Sequence, residues 1–159
     1  MRDLNVLKLI AEYLKSSDKR DVELSSKLLH FKAHQNIDTD KLYQTYLEWL
    51  KDNYNFLYFT GENFQQTSTP EVCCIDLDAK YLGKSISPYN RKMLTPLTQS
   101  EQDRLEQFHQ LDNAEQAHLS SFAHKVQNQD KRLWAKWRSY PVSKQVDIAQ
   151  SGLGGIRWL

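Results

Sequence analysis

Between Leu119 and Tyr140, large apolar side chains return every three or four residues, and this periodicity constrains the fold more than any other feature of the chain. At about 100° per residue they fall on a single stripe of a helix. The members of the stripe are Leu119, Phe122, Val126, Leu133, Trp137 and Tyr140. Pro141 should end the helix, because proline lacks a backbone donor and clashes with the preceding turn. The stripe predicts one helix over residues 113–140, or two helices if residues 128–130 interrupt it.

Helix-start signals precede this stripe. Thr98 and Glu101 have the spacing of a capping box, in which the hydroxyl accepts from the third helical amide and the carboxylate accepts from the amide of the cap residue. Asp112 and Glu115 repeat the spacing. We therefore expect one helix to begin after Thr98 and a second to begin after Asp112.

The first part of the chain carries three shorter helical patterns. Apolar spacing predicts a first helix over about residues 3–15, a second capped by Asp21 and a third capped by Asp38 or Thr39. Polar connectors separate them, so the three helices are expected to pack against one another through one apolar face each.

Two β-prone runs, at residues 56–59 and 72–75, follow these helices and predict a hairpin. Three helices and a two-stranded ribbon form the element order of a winged helix-turn-helix. The predicted fold is mainly α with a small β-hairpin (α+β). We divide it into a winged-helix-like module at 1–78, a linker at 79–97 and a helical module at 98–159.

Composition places the chain among globular proteins. Its 159 residues are 40% hydrophobic and 26% charged, which disfavours disordered and low-complexity classes. With 21 Lys and Arg against 20 Asp and Glu, the whole-chain charge gives no argument for a dedicated nucleic-acid binder. No apolar run suits a membrane span or a signal peptide, so we expect a cytoplasmic protein without a membrane partner.

Charge is nevertheless unevenly distributed in the second half. Residues 98–123 hold one Arg against five acids, whereas residues 124–159 hold seven Lys or Arg against two acids. On the helical wheel the basic residues flank the apolar stripe and leave a tryptophan between them. The predicted nucleic-acid-binding residues are Lys125, Lys131, Arg132, Lys136, Arg138 and Trp134. Such a face can neutralise phosphates and stack on bases.

An alternative to this interpretation is that the basic helix is only a solvated surface, whose cations pair with the acids of the helix at residues 101–115.

The winged half is poorly suited to nucleic acid. Its third helix carries more acids than cations, and residues 60–71 contain no Lys or Arg. A groove-reading helix and wing would need the opposite charge, so that face is expected to bind protein if it binds a macromolecule.

Catalytic and metal signals are weak. His30 and His34 are four apart, as in metal-binding pairs, but the acid of a metalloprotease motif is missing between them. Cys73 and Cys74 point to opposite faces of a strand, which makes them poor joint ligands. Nucleophile-elbow, phosphate-loop and dinucleotide patterns are absent from the sequence. We therefore predict no enzyme activity, no metal site and no cofactor.

Residues 96–119 resemble the helix pair that follows the DNA-binding domain in some phage-type and other bacterial helix-turn-helix transcriptional regulators. The shared pattern is a Leu-Thr start, Glu-Gln, Leu, an aromatic residue, Leu and a second Glu-Gln helix. The resemblance implies dimerisation or partner docking through residues 98–126. It does not extend to sequence-specific DNA reading, because the first half lacks a basic recognition helix.

Three functional hypotheses follow. The first is a non-enzymatic bacterial or phage regulatory protein that contacts nucleic acid and binds a protein partner or forms a homodimer. Its predicted partner or dimer interface comprises Leu105, Phe108, Leu119, Phe122, Val126 and Trp158. The second is a protein–protein adaptor that uses the same C-terminal helix and the apolar tail at 153–159. The third is a small metal-dependent enzyme.

Overall fold

The structure is a computed structural model that describes residues 4–29, 31, 39–59, 73–87 and 90–151. Within these residues the chain is mainly helical with a small two-stranded antiparallel sheet, which confirms the predicted fold class. The chain divides into two compact units. The first comprises Met1–Ile75 with Ser87–Arg91, and the second comprises Asp76–Ile86 with Lys92–Leu159.

The first unit begins with the expected helices. These are α1 (Leu4–Glu12), α2 (Lys19–Leu28) and α3 (Thr39–Asn53). A 3₁₀ turn, Tyr13–Lys15, extends α1, so the predicted helix over residues 3–15 agrees with the structure. The second helix starts earlier than predicted, because Asp18 and not Asp21 is its cap and accepts from the Arg20 amide at 2.9 Å.

Apolar side chains from all three helices form the core of this unit. Its buried members are Leu7, Ala11, Leu14, Leu29, Phe31, Leu42, Tyr46, Leu50 and Leu57. The Tyr46 ring packs edge-on against Phe31 at 5.4 Å and stacks on Trp49 at 5.6 Å. The stripes predicted on α1 and α3 are therefore the faces that these helices bury, whereas on α2 Leu24 is 52% exposed and the buried residue is Ser25.

The predicted hairpin is present as a short antiparallel pair. Strand β1 (Leu57–Phe59) pairs with β2 (Cys73–Ile75), and Leu57 lies opposite Ile75. Residues 60–71, which the sequence predicts to be the wing, lie outside the described residues, as does Val72 at the start of the second predicted run. The element order three helices then two strands is the one that the sequence predicted for this unit.

The second unit contains the remaining helices. They are α4 (Leu77–Leu82), α5 (Gln99–His109), α6 (Asn113–Gln129), α7 (Lys131–Ser139) and α8 (Val142–Gln150). Both predicted capping boxes are present, at Thr98 with Glu101 and at Asp112 with Glu115. Of the two alternatives for residues 113–140, the structure has two helices, because Asp130 leaves helical geometry between α6 and α7.

Helix α4 lies in the segment that the sequence predicted to be a linker. The buried Asp76 caps it by accepting from the Ala79 amide at 2.8 Å, and Gly83 ends it with a φ of 65°. Tyr81 and Leu82 are buried in the unit's core. The first part of residues 79–97 is therefore a packed element of the second unit and not a connector.

The core of the second unit joins α4 to α6, α7 and α8. Its buried members are Tyr81, Leu82, Phe108, Leu119, Phe122, Ala123, Val126, Trp137, Val142 and Ala149. Tyr81 stacks on Phe108 at 4.4 Å, and Trp137 packs against Phe122 at 5.4 Å. This core fixes which face of α7 points outward.

Candidate nucleic-acid interface

Helix α7 presents a basic surface because of how it is capped and packed. The Asp130 carboxylate accepts from the amides of Arg132 and Leu133 at 2.8 and 3.2 Å and so starts the helix. Trp137 is fully buried and anchors the opposite face in the core. The exposed side chains of α7 are Lys131, Arg132, Ala135, Lys136 and Ser139. This outward face therefore carries three cations, two small residues and no carboxylate.

Lys125 lies on α6, one turn before that helix ends, and is exposed as well. Within the described residues, the side chains of Lys125, Lys131, Arg132 and Lys136 make no hydrogen bond or ion pair. We call these four residues the basic surface. Four of the six predicted nucleic-acid-binding residues therefore lie on the surface with their charges uncompensated by a close carboxylate from the described part of the chain.

Arg138 differs from this prediction. Its Nη2 atom lies 2.9 Å from Glu101 Oε2, and its side chain is only 17% exposed. The guanidinium also lies over the Trp134 ring, 4.4 Å from the ring centroid. Arg138 is thus committed to an internal carboxylate and an internal aromatic face, so it is not a free phosphate contact.

Trp134 is also turned inward. Its ring packs against the core of the second unit while Arg138 covers one face. The indole Nε1 atom is buried and has no hydrogen-bond partner among the residues that the structure describes. Trp134 also lines the cleft between α5 and α7, so part of its surface reaches solvent, and its predicted base-stacking role stays a prediction.

Glu101 is the charged centre of this part of the unit. Its carboxylate contacts Lys84 Nζ at 3.0 Å and Arg138 at 2.9 Å, and it accepts from the Thr98 amide at 3.1 Å. Burial alone would raise the pKa of Glu101, but the hydrogen bonds from Thr98, Arg138 and Lys84 lower that pKa to about 2. Lys84 Nζ also donates to the Pro96 carbonyl at 2.7 Å.

A cleft of about 450 Å³ opens beside this cluster, between the first turns of α5 and the exposed side of α7. Ser100 and Arg104 line it from α5, and Ala135 and Ser139 line it from α7. Arg104 and Lys84 are not among the site residues predicted from the sequence. Arg104 follows Glu101 by three residues on the same helix, a signal that the sequence offers, but the position of Lys84 requires the fold.

The predicted dimer interface is largely interior. Phe108, Leu119, Phe122 and Val126 are buried in the core of the second unit, and Leu105 packs against that core. They do not present the exposed apolar face that dimerisation through them would require. The stripe is apolar because α4, α7 and α8 cover it within the same unit. Trp158, the remaining predicted interface residue, lies outside the described residues.

The other candidate sites gain no support. His30 and His34 lie outside the described residues, and the described part of the chain holds no group of three His, Cys, Asp or Glu side chains arranged for a metal ion. Asp76 is the α4 cap, and Asp78 contacts His109 Nε2 at 2.9 Å. On α3 the exposed charges are mixed, as the sequence predicted for a face unsuited to phosphates. Those charges belong to Asp40, Lys41, Glu48, Lys51 and Asp52.

Comparison with known proteins gives no match to this chain: no family model, no curated protein and no solved structure is significantly similar. None of the described helices combines the length and apolar character that crossing a membrane requires. The proposed function therefore rests on the geometry of the second unit.

Proposed function

We propose that this protein is a non-enzymatic regulatory protein that binds the phosphate backbone of nucleic acid through the basic surface. The observation that carries the proposal is the outward face of α7, where every exposed side chain is a cation, an alanine or a serine. The exposed Asp130 carboxylate lies at the start of α7 and accepts from helix amides, so the four cations of the basic surface outnumber this one acid and leave a net attraction for a polyanion.

The chemistry favours backbone contact over base reading. Lys and Arg on a convex helix neutralise phosphates and release condensed counterions, which gives affinity without sequence information. The small side chains of Ala135 and Ser139 leave room for a phosphate strand to lie between the cations. A regulatory role is further supported by the resemblance of residues 96–119 to the helix pair of helix-turn-helix regulators.

Salt dependence tests this proposal directly. Four neutralised phosphates would give a log–log slope of about −3 to −4 on duplex DNA, and a Kd in the micromolar range or weaker at about 0.15 M salt. The measurement is fluorescence anisotropy of labelled duplex DNA and duplex RNA over a salt series. The triple variant Lys131→Ala, Arg132→Ala, Lys136→Ala should reduce the slope magnitude by about 2.7, since each lost contact removes about 0.9.

The first unit provides a matched control. Lys8, Lys27 and Lys41 are exposed on α1, α2 and α3, and changing all three to Ala removes the same charge from the protein. This control should bind with the slope of the unmodified protein. If both triple variants weaken binding equally, the effect is one of net charge and the basic surface is not the site. Salt-independent or absent binding by the unmodified protein would contradict the proposal altogether.

A further inference from the structure

The cleft between α5 and α7 contains more positive charge than its own carboxylate can compensate. Three cations and one acid line it, and both Lys84 and Arg138 contact Glu101. Even with Glu101 fully ionised, the lining carries a net charge of +2, from three positive charges and one negative charge. The cleft is shallow and open to solvent, and its excess positive charge raises the local concentration of anions beside it.

Of the three cations that line the cleft, Arg104 is the one with no ion-pair partner among the described residues. Its side chain is half-buried, and it makes no hydrogen bond or ion pair within the described part of the chain. A half-buried guanidinium normally meets an acceptor, since its five donors form a planar fork that suits a carboxylate or phosphate. The Ser100 hydroxyl lines the same cleft and is likewise unpaired among the described residues.

We propose that this cleft binds a phosphate group, with Arg104 as its principal ligand and Ser100 as a second donor. The charge of a phosphate monoester at neutral pH, about −1.5 to −2, is close in magnitude to the net charge of +2 on the residues that line the cleft. Lys84 and Arg138 add positive potential while remaining paired with Glu101, and the open cleft of about 450 Å³ has room for a phosphate group.

The proposal does not depend on nucleic-acid binding by the basic surface. Ala135 and Ser139 belong both to the exposed face of α7 and to the wall of the cleft, so the phosphate can come from a bound nucleic-acid strand. It can equally come from a small phosphate-bearing molecule. Both sources present phosphate oxygens to the guanidinium, although a backbone diester carries a charge of about −1 and a monoester about −1.5 to −2, and competition with duplex separates the two sources.

The test is an NMR titration of the full chain with inorganic phosphate against chloride at constant ionic strength. The amides of Ser100, Arg104 and Ser139 should show saturable shifts. Arg104→Gln should weaken phosphate affinity by about tenfold or more, as expected for losing a charge-assisted hydrogen bond. Arg104→Lys keeps the charge without the fork and should give an intermediate affinity.

Arg20→Gln is the matched control, because Arg20 is an exposed guanidinium of the first unit that pairs with Asp18. It should bind phosphate like the unmodified chain. Non-saturable shifts in the unmodified protein, or equal affinity in Arg104→Gln, would overturn the phosphate site. Neither result would bear on the salt dependence of the basic surface.

A competition arm identifies the source of the phosphate. If inorganic phosphate weakens duplex binding by the unmodified chain more than by Arg104→Gln, the site holds a backbone phosphate. If phosphate binds at Arg104 without affecting duplex binding, or if no duplex binds at all, the ligand is a small phosphate compound. Both results support the site, and the second separates it from the proposed function.

Discussion

Gln145 and Trp137 are joined by reciprocal hydrogen bonds in the interior of the second unit: the indole Nε1 donates to the Gln145 carbonyl at 3.3 Å, and the Gln145 Nε2 donates to the Trp137 carbonyl at 3.2 Å. The two hydrogens of this amide are shared among the carbonyls of Trp137, Arg138 and Tyr140, while its Oε1 accepts from the Tyr81 hydroxyl at 2.6 Å. One buried side chain therefore satisfies the end of α7 and links it to α4 and α8.

Replacing Gln145 with Leu should lower the free energy of unfolding by about 2–4 kcal/mol. The substitution leaves the buried Tyr81 hydroxyl and several carbonyls of the α7 end without partners. Urea denaturation followed by tryptophan fluorescence measures the loss. Gln150→Ala, at an exposed position of the same helix, should change stability by less than about 0.5 kcal/mol. Equal losses in the two variants would show that the network contributes nothing.

The lowered pKa of Glu101 predicts an acid-dependent loss of stability. Because the folded-state pKa is about 2 and the ordinary value is 4.5, the carboxylate stabilises the fold fully above pH 4.5. That contribution, up to about 3 kcal/mol, is lost as pH falls toward 2. Denaturation of the unmodified protein and of Glu101→Gln from pH 7 to 2 should give curves that converge at low pH. A constant difference at every pH would contradict this assignment.

Asp130 should contribute stability as a helix cap. Asp130→Ala removes the acceptor for the Arg132 and Leu133 amides and should cost about 1 kcal/mol. Asp130→Asn keeps an acceptor oxygen and should remain within a few tenths of a kcal/mol of the unmodified protein. Thermal or urea unfolding of the pair measures the difference. An alanine variant as stable as the asparagine variant would mean that the break between α6 and α7 does not need this cap.

Gly83 is required by both conformation and space. Its φ of 65° is unfavourable for L side chains, and an added Cβ would lie 2.7 Å from Trp134 Cζ2 and 2.7 Å from Gln127 Oε1. Gly83→Ala should therefore destabilise the protein by about 1–3 kcal/mol. Asn adopts the left-handed backbone more readily than Ala does, so Gly83→Asn tests the steric clash of the added Cβ apart from the backbone strain. It should also be destabilising. Ser85→Ala, at an exposed position nearby, is the control for unfolding measurements.

Features that depend on neighbouring residues could be predicted from the sequence. The capping boxes at Thr98 and Asp112 involve groups only three positions apart, and both are present. The end of α7 before Pro141 follows from the chemistry of proline alone. The break at Asp130 was one of two alternatives because Asp can also occupy a helix interior, and only packing of the two helices decides between them.

Features that depend on distant residues could not be predicted in this way. An apolar stripe shows which face of a helix is buried but not what covers it, so the sequence cannot distinguish a dimer interface at Phe108 and Phe122 from the packing against α4 and α7 that the structure has there. Helix α4 is six residues long, too short for a clear period. Arg138 shares a helical wheel with the exposed cations, whereas its partner Glu101 lies 37 residues earlier in the chain.

Because Glu101 completes the α5 capping box and also binds Lys84 and Arg138, fraying of the first turn of α5 has to break contacts with other parts of the unit. Unwinding that turn would leave Lys84 and Arg138 without their carboxylate partner. Hydrogen exchange at the Glu101 and Gln102 amides, which donate to Thr98, should accordingly be slower than is typical of a helix start.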